Sequence, residues 1–405
     1  MTATSVSTTD TAIPKDYDHL DPGLNGDPGP VWKAMRAGCP MAFSTLYDGF
    51  WVPTRYDDIT EIAHDHDRFS SKQILIPHDL FGQDLNMPPI TSDPPFHSKF
   101  RRMMLPTFSP KNMKAWEPAT IDIANNLIDK FIDKAEFDGA REYAQNIPIT
   151  VIARMLGIDE EDGPMFTDWL RRLLDTGPSN RQDAQAAFIE LADYLSKKIT
   201  QHRENRIDDV MNLLIETEID GESLDDHDLL GACQLLLIAG IDTTWSAIGS
   251  SMAHLAANPE HRRILIDALD EPDGKTWNLA MEEFLRVFSP VTMARIVNQD
   301  TEVRGVQLKQ GDQMLLPFPA ANRDPDKFEN PDEVVIDRED NRHYAFGLGR
   351  HRCLGSHLAR MELEVGLRTL LRRVPDFHIT EGKSVRYAGG QVRGPREMPL
   401  TIGPA

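Results

Sequence analysis

Residues 343–357 of this chain read His343-Tyr-Ala-Phe-Gly-Leu-Gly-Arg-His-Arg-Cys-Leu-Gly-Ser-His357. This glycine-rich loop carries one cysteine and leads into a helical pattern at 358–372. The glycines before the cysteine allow the backbone to fold back, so that several N–H groups can converge on the Cys353 sulfur. These N–H groups and the positive end of the following helix stabilise a sulfur anion. The loop therefore predicts a thiolate held against a metal, and Gly355 leaves room for a flat ligand beside the helix start.

Zinc is one alternative for this metal. Cys353, His351 and His357 can supply three ligands, but structural zinc sites usually carry paired Cys-x-x-Cys or His-x-x-x-His spacings. The other cysteines, Cys39 and Cys233, lie far away in the sequence. A buried free cysteine in a tight turn is a second alternative, and it is the commoner state of a lone cysteine.

The same loop resembles the haem-binding signature of the cytochrome P-450 monooxygenases. The matching residues are Phe346-Gly-x-Gly-x-His351-x-Cys353-x-Gly355. The resemblance implies that Cys353 is the proximal thiolate ligand of a haem b iron, where it donates electron density that favours O–O cleavage. It also implies that Phe346 packs near the thiolate and that His351 hydrogen-bonds a haem propionate.

Length, charge and cysteine content bound the class of protein. The 405 residues exceed the usual ~100–200 residues per domain, but the resembled family is one large fold. A net charge of −21 argues against nucleic acid as a partner, because the phosphates would repel the chain. No window approaches the ~18 apolar residues of a membrane span. Three widely spaced cysteines fit a reducing compartment.

The first fourteen residues are rich in Thr and Ser and lack the basic and apolar regions of a signal peptide. We therefore expect a disordered tail at 1–14, one domain at 15–405 and a cytoplasmic protein.

The hydrophobic pattern predicts a mostly helical chain with short strands. Helices are predicted at 28–38, 55–64, 113–133, 144–156, 165–174, 182–205, 210–217 and 229–255, and extended segments at 43–53, 289–295, 301–316 and 398–402. This is a mainly α chain with small β-sheets (α+β). The resemblance implies a single large cytochrome P-450-type fold with haem between the central long helix and the helix after the cysteine loop.

The pattern at 229–255 is apolar nearly all round, which places it in the core. Asp242, Thr243 and Thr244 interrupt it directly after Ala239-Gly240. Burying such groups costs roughly 2–7 kcal/mol for each unpaired polar group, so they need local partners or a polar cavity. A threonine hydroxyl can also bind a backbone carbonyl and loosen the helix. The alternative is a helix bend with satisfied polar groups.

Residues 239–244 resemble the oxygen-activation segment of the same family. The resemblance implies that Asp242 supplies protons and that Thr243 stabilises the reduced oxygen, since two protons must arrive before water can leave. Gly240 removes a side chain where a flat ligand or O2 approaches the helix.

The run Asp93-Pro-Pro-Phe-His97-Ser-Lys-Phe-Arg101 predicts the start of a helix, with His97 and Arg101 on one face. An exposed polar face is the ordinary interpretation. The run resembles the Asp-Pro-Pro-x-His-x-x-x-Arg helix of the family, which implies that both residues bind haem propionates. Arg295 lies where the family keeps another propionate ligand.

Glu283 and Arg286 lie one turn apart on a predicted helix, a spacing that also suits a surface pair worth less than ~1 kcal/mol. Their resemblance to the family's Glu-x-x-Arg motif implies a structural pair behind the haem, joined by Arg338.

Residues 70–91 form a long apolar loop without a stable period, which is often functional, and the connection 175–180 is expected to be mobile. With parts of the central helix and the 291–294 strand they predict an apolar substrate pocket. Its predicted lining residues are Ile76, Leu236, Ala239, Val291 and Met293.

These features predict a haem-dependent monooxygenase that inserts one atom of O2 into a small or medium apolar compound, such as a terpenoid, aromatic or alkyl molecule. Because we find no reductase module in the chain, we expect electrons from NAD(P)H through a reductase and a separate acidic ferredoxin. The basic residues expected to attract it are Arg102, Arg350, Arg352 and Arg360. Scattered solvated charge is the alternative. A haem-thiolate sensor and a peroxide-driven enzyme are alternative functions, and the Asp242-Thr243 pair favours the monooxygenase.

Overall fold

The computed structural model describes residues 16–81 and 85–403, so the predicted tail at 1–14 lies outside the described residues. The α-helices are α1 Gly29–Gly38, α2 Tyr56–His64, α3 Phe96–Met104, α4 Pro110–Lys114, α5 Glu117–Ile128, α6 Asn146–Met155, α7 Gly163–Leu170, α8 Arg181–Glu204, α9 Val210–Ile215, α10 Asp226–Ala257, α11 Pro259–Asp267, α12 Lys275–Val287, α13 Phe318–Ala321 and α14 Ser356–Arg373. The strands are β1 Met41–Ser44, β2 Phe50–Pro53, β3 Phe69–Ser70, β4 Glu136–Asp138, β5 Glu218–Ile219, β6 Glu222–Ser223, β7 Thr292–Val297, β8 Thr301–Val303, β9 Val306–Leu308, β10 Gln313–Pro317, β11 Phe377–Ile379, β12 Arg386–Ala388, β13 Gly394–Glu397 and β14 Pro399–Ile402.

The largest described sheet has the strand order β1-β2-β10-β7-β3. Strands β1 and β2 form a hairpin whose turn contains Asp48 and Gly49, both with positive φ. Strand β10 then pairs in parallel with β2 and antiparallel with β7. A second sheet has the order β11-β14-β4, and β12 pairs with β13. The sheets thus bring β7 and β13, which carry Arg295 and Arg396, from distant parts of the chain to the helical core.

Helix α10 is the centre of that core. The Asp225 side chain caps its first turn by accepting a hydrogen bond from the Asp228 N–H. The helix packs against α6, α8, α14 and β13. Contrary to the expectation from the sequence that no window approaches a membrane span, α10 alone among the described helices is long and apolar enough to cross a membrane, and 61% of its most apolar window is buried inside the protein. Its apolar surface is therefore accounted for by packing within the fold.

Three predicted segments differ from the structure. The predicted helix at 113–133 is broken between α4 and α5, because Pro118 lacks an N–H and occupies the first turn of a new helix. The predicted helix at 165–174 passes into a π-helical turn at Arg171–Asp175. The sequence of 301–316 predicts a pair of short strands with turns at Arg304-Gly305 and Gln310-Gly311, whereas the structure has three strands: the hairpin β8–β9 and then β10, which belongs to the largest sheet.

A buried charged cluster joins α12 to the segment before the cysteine loop. Glu283 and Arg286 form a two-bond ion pair of 2.8 Å for each bond, and both side chains are fully buried. Arg338 adds a hydrogen bond of 3.0 Å to the same carboxylate. The remaining N–H groups of Arg286 donate to the carbonyl groups of Asn322, Pro331 and Glu333. We call Glu283, Arg286 and Arg338 the Glu283 cluster; its hydrogen bonds make it a structural brace.

We expect Glu283→Gln to destabilise the fold by about 3–5 kcal/mol, because it leaves two buried arginines without their counter-charge. The exposed ion pair between Arg263 and Asp267 provides a matched control. Asp267→Asn removes the same chemical group and should change the free energy of unfolding by less than ~1 kcal/mol. Urea unfolding followed by circular dichroism measures both. Equal stabilities of the two variants would contradict the structural role of Glu283.

Candidate functional site

The cysteine loop is folded tightly on itself. Gly347 and Gly349 have positive φ, which favours glycine, and a Cβ at Gly349 would lie 2.6 Å from the Ala63 carbonyl oxygen. The Cys353 N–H donates to the Phe346 carbonyl at 2.8 Å. The loop thus presents Cys353 three residues before α14 begins.

The Cys353 side chain is accessible although the residue lies deep in the protein. Burial raises the pKa of its thiol, whereas a hydrogen bond from the Gly355 N–H and the charges of nearby arginines lower it. The sequence predicts that several N–H groups converge on the sulfur, and the hydrogen bond described there comes from the Gly355 N–H. A Cβ at Gly355 would meet only the Cys353 sulfur, at 4.0 Å. Open space therefore lies beside the sulfur, and a metal that binds there deprotonates the thiol.

Two histidines close to the loop have ring nitrogens without partners. His97 on α3 and His351 lie with their ring centroids 4.2 Å apart. Both ring nitrogens of His97 and Nε2 of His351 are buried and have no hydrogen-bond partner among the described residues. Burial and neighbouring positive charge lower the pKa of His97 to about 4 and that of His351 to about 2. Unpartnered buried groups are costly, so this position needs a ligand.

Two arginines add to this excess of donors. Arg295 on β7 is buried, and its described hydrogen bond is to the neighbouring Ala294 carbonyl at 2.7 Å. Burial lowers the pKa of Arg295 to about 10. Arg101 donates to the Arg352 carbonyl beside the cysteine. We call His97, His351 and Arg295 the donor cluster. Such a group of unpaired donors next to an accessible thiol fits the two carboxylates of a haem.

The middle of α10 is accessible on one side only. Ala239 is exposed and Thr243 is half-buried, whereas Ile241 and Asp242 are buried. The Thr243 hydroxyl donates to the Ala239 carbonyl at 2.8 Å, yet α10 remains a continuous α-helix, so the predicted loosening is not seen. Gly240 packs toward Ile152, 3.1 Å from the position that a Cβ would take. Its missing side chain is therefore explained at least in part by helix packing.

Asp242 does not share the partner of Thr243; its carboxylate pairs with Arg396. Its two carboxylate oxygens lie 3.0 and 3.1 Å from the Arg396 guanidinium of β13. Arg396 also donates to Asp175 at 2.7 Å and to the Ser246 hydroxyl at 3.1 Å. Burial raises the pKa of Asp242; Arg396 opposes this and Asp175 adds to it. We call Asp242, Arg396 and Asp175 the relay cluster.

The sequence did not single out Arg396. A buried aspartate requires a cation, but the chain has 43 lysines and arginines and nothing local indicates which one folds back 154 positions. Asp175 was visible only as part of the expected mobile connection.

The predicted pocket residues are not all at one place. Ile76 lines a small described cavity together with Leu174 and Thr292. The others, Leu236, Ala239, Val291 and Met293, do not line that cavity. Val291 instead forms an isolated bridge with Val392.

Three of the four arginines of the predicted basic patch are exposed, and the fourth is held in an ion pair. The side chains of Arg102, Arg350 and Arg352 are exposed. Arg360 makes two hydrogen bonds of 2.5 and 2.8 Å to Glu282 and lies 4.4 Å from the Phe346 ring centroid. Its charge is thus already partly neutralised and directed toward the loop.

Comparisons with known proteins agree with this geometry. The family model described as cytochrome P-450 matches residues 164–384. The chain is 34% identical to probable cytochrome P-450 127A1 of Sinorhizobium fredii, over 94% of this chain and 92% of that protein. It is also 34% identical to vitamin D(3) 25-hydroxylase of Pseudonocardia autotrophica, over 93% of this chain and 94% of that protein.

Solved structures show the same fold. Cytochrome P-450 PksS of Bacillus subtilis matches with a TM-score of 0.84 and 29% identity, over 96% of this chain and 100% of that one. CYP109E1 of Bacillus megaterium in complex with testosterone matches with a TM-score of 0.84 and 28% identity, over 94% and 99%. The predicted fold class is therefore confirmed.

We expect Cys353→Ser to abolish the absorption band at about 450 nm of the reduced, CO-bound protein, because this band requires a thiolate opposite CO. Cys39→Ser is the matched control, since Cys39 is also accessible but lies far from Cys353 in the sequence, just before β1. It should keep the band. A normal band in Cys353→Ser would show that another residue is the ligand.

Proposed function

Because this chain belongs to the cytochrome P-450 family of haem-thiolate monooxygenases, we propose that it inserts one atom of O2 into a small or medium apolar organic compound. The predicted enzyme class and the predicted cofactor, haem b bound through a cysteine thiolate, are confirmed by this membership. Terpenoid, aromatic and alkyl compounds remain the proposed substrate types. The domain proposed for this reaction is 15–405.

The donor cluster is the observation that carries the proposal for this chain. Cys353 would hold the iron, and His97, His351, Arg295 and Arg101 would bind the propionates. Buried N–H donors gain most from an ionised acceptor, because such hydrogen bonds are about twice as strong as neutral ones. When bound, the haem supplies O2 binding and activation through its thiolate ligand. The side chains of the protein orient the haem and supply the protons that the reaction needs.

Thr243 and Asp242 of α10 have different roles in proton transfer. The Thr243 hydroxyl lies on the accessible side of the helix, where it can donate a hydrogen bond toward a bound oxygen species. Asp242 lies on the buried side and holds or releases a proton, since burial raises its pKa toward neutral pH. Arg396 fixes the carboxylate through both oxygens and is a positioning residue.

Known relatives support an apolar substrate. One relative is a vitamin D(3) hydroxylase, and one solved relative holds testosterone. Both molecules named there are mostly hydrocarbon. The cavity lined by Ile76, Leu174 and Leu315 in this chain is also mainly apolar.

The electron donor is proposed to be an acidic ferredoxin that receives electrons from NAD(P)H through a reductase in the cytoplasm. The exposed side chains of Arg102, Arg350 and Arg352 support a basic docking face beside the cysteine loop. Positive charge near the loop contrasts with the net charge of −21 and would steer an acidic partner to this side.

The direct test of the function measures O2 consumption and product formation by the haem-loaded protein with NAD(P)H, ferredoxin and reductase. Candidate substrates come from a screen for low-spin to high-spin shifts of the Soret band. Oxygenated product from a compound that causes this shift supports the proposal. No O2 consumption above background with any such compound would favour a binding protein.

We expect Thr243→Ala to keep haem and substrate binding but to lower the product formed per NAD(P)H by about tenfold, with hydrogen peroxide formed instead. The reason is that a hydrogen-bond donor to the developing negative charge is lost, and one hydrogen bond to a charged group contributes about 1.5 kcal/mol or more, which is about tenfold. Thr243→Ser keeps the hydroxyl and should keep the coupling. Unchanged product per NAD(P)H in Thr243→Ala would contradict this role.

We expect Arg352→Glu to slow ferredoxin-to-haem electron transfer by about tenfold at low ionic strength, because it reverses a charge that steers the partner. The difference should disappear at high salt. Arg263→Glu on α11 is the control, since Arg263 is exposed and distant in sequence from the loop. Arg360→Glu is a poor probe because Arg360 pairs with Glu282. Equal rates for Arg352→Glu and the parent at low salt would exclude this docking face.

A further inference from the structure

A small cavity lies where the N-terminal segment, the 74–80 loop, the 174–178 connection and β7 meet. Most of its lining is apolar: Ile74, Leu75, Ile76, Leu80, Leu174 and Leu315. Its volume is about 10 Å³, which is roughly what one water-sized group occupies. Since Ile76 is also a predicted pocket residue, the cavity adjoins the proposed substrate region.

Three polar side chains also line the cavity, and two of them have their hydrogens engaged elsewhere. The Thr292 hydroxyl donates to the Gly390 carbonyl at 3.3 Å. The Gln391 side-chain NH2 group donates to the Ile74 carbonyl at 3.3 Å and to the Met293 sulfur at 3.5 Å. What these two side chains still offer is the lone pairs of their oxygens, which are hydrogen-bond acceptors.

The third polar side chain, His19, also offers an acceptor. It is only 6% exposed, and its Nδ1 has no hydrogen-bond partner among the described residues. Burial lowers the pKa of His19 to about 4, while a hydrogen bond to the Ile76 carbonyl raises it. A neutral imidazole has a single N–H. One ring nitrogen of the neutral imidazole therefore donates to Ile76, and the other carries a lone pair.

The orientation of the His19 ring is fixed by its neighbours. Tyr47 and Phe50 contact it edge-on, with ring centroids 6.0 and 5.7 Å away. Two aromatic edges and the hydrogen bond to Ile76 hold the ring from different sides. The free nitrogen is therefore a preorganised acceptor, which lowers the entropic cost of binding a ligand there.

The cavity offers hydrogen-bond acceptors but no positive charge, and this limits the chemical class of the ligand. No lysine or arginine lines it in the described part of the chain, so an ionised carboxylate would meet acceptors without a counter-charge. An ether oxygen has no hydrogen to donate. A hydroxyl group has the required hydrogen and the size that the cavity admits.

We propose that this cavity is a polar subsite of the substrate pocket, where the imidazole of His19 accepts a hydrogen bond from the hydroxyl group of a neutral, otherwise apolar alcohol. The inference rests on the proposed monooxygenase function and narrows its substrate class. The hydroxyl anchors one end of the molecule, and the apolar remainder is left for the rest of the pocket.

The test uses matched ligands on the haem-loaded parent protein. One set is lauryl alcohol, lauryl methyl ether and lauric acid; the other is vitamin D(3) and its methyl ether. Dissociation constants are measured near neutral pH from the spin-state shift of the Soret band. We expect each alcohol to bind about tenfold more tightly than its methyl ether, as one buried neutral hydrogen bond provides. Lauric acid should bind no better than the ether.

Two variants assign the preference to the imidazole. His19→Phe keeps a ring of similar size and His19→Leu avoids an aromatic clash; either one should bind alcohol and ether equally. His78→Phe is the control, because His78 is exposed on the same loop and does not line the cavity. It should keep the parent's preference. The band at about 450 nm shows that each variant retains its haem site.

Equal binding of alcohol and ether by the parent would overturn the proposal, since the cavity would then hold only a water. A preference that persists in both His19 variants, or no binding by any alcohol, would also overturn it. These results leave the proposed function intact as long as the band at about 450 nm and O2-dependent product formation with another compound are present. Loss of those two would instead refute the proposed function.

Discussion

Polar and charged groups that are buried without a partner are the constraint on which this structure depends, because each such group costs free energy, several kcal/mol where it is charged. The Glu283 cluster meets the constraint within the protein, since the carboxylate and the guanidinium of Arg286 saturate one another and nearby carbonyls. The donor cluster does not meet it, because buried nitrogens of His97 and His351 lack partners among the described residues. The Glu283 cluster is thus complete within the protein, whereas the proposed haem propionates would supply the missing partners of the donor cluster.

The features that could be predicted from the sequence are those encoded within a few residues. Cys353 and its glycines stand in one loop, and two positive φ angles there reflect a local need that only glycine meets cheaply. Helix α10 follows from a pattern that is apolar nearly all round, and its Thr243-to-Ala239 hydrogen bond follows from a spacing of four. Such motifs indicated the family, and the family in turn supplied the expected roles of the propionate ligands.

Features that depend on long-range packing could not be predicted. Pro118 indicates a helix start, but the amphipathic pattern continues on both sides of it, so the sequence predicts one helix where the structure has α4 and α5. Gly240 is predicted from the sequence to leave space for a ligand, and the structure adds a packing contact with Ile152 that the sequence does not indicate. Arg360 is predicted from the sequence to be a free charge, but in the structure it pairs with Glu282, 78 positions away. In each case the deciding neighbour is remote in sequence, and charge or hydropathy alone does not identify it.

The relay cluster shows what such a remote neighbour does to chemistry. Two carboxylates, Asp242 and Asp175, share the single guanidinium of Arg396, so this buried group carries one negative charge more than it carries positive charge. Excess negative charge in a low-dielectric interior favours binding of a proton, which is why Asp175 adds to the raised pKa of Asp242. Asp175 belongs to the π-helical turn that leads into the 175–180 connection. A displacement of that turn would therefore leave Asp242 with a full share of Arg396 and a lower proton affinity, so the position of this surface connection and the acidity of the interior carboxyl group are physically coupled.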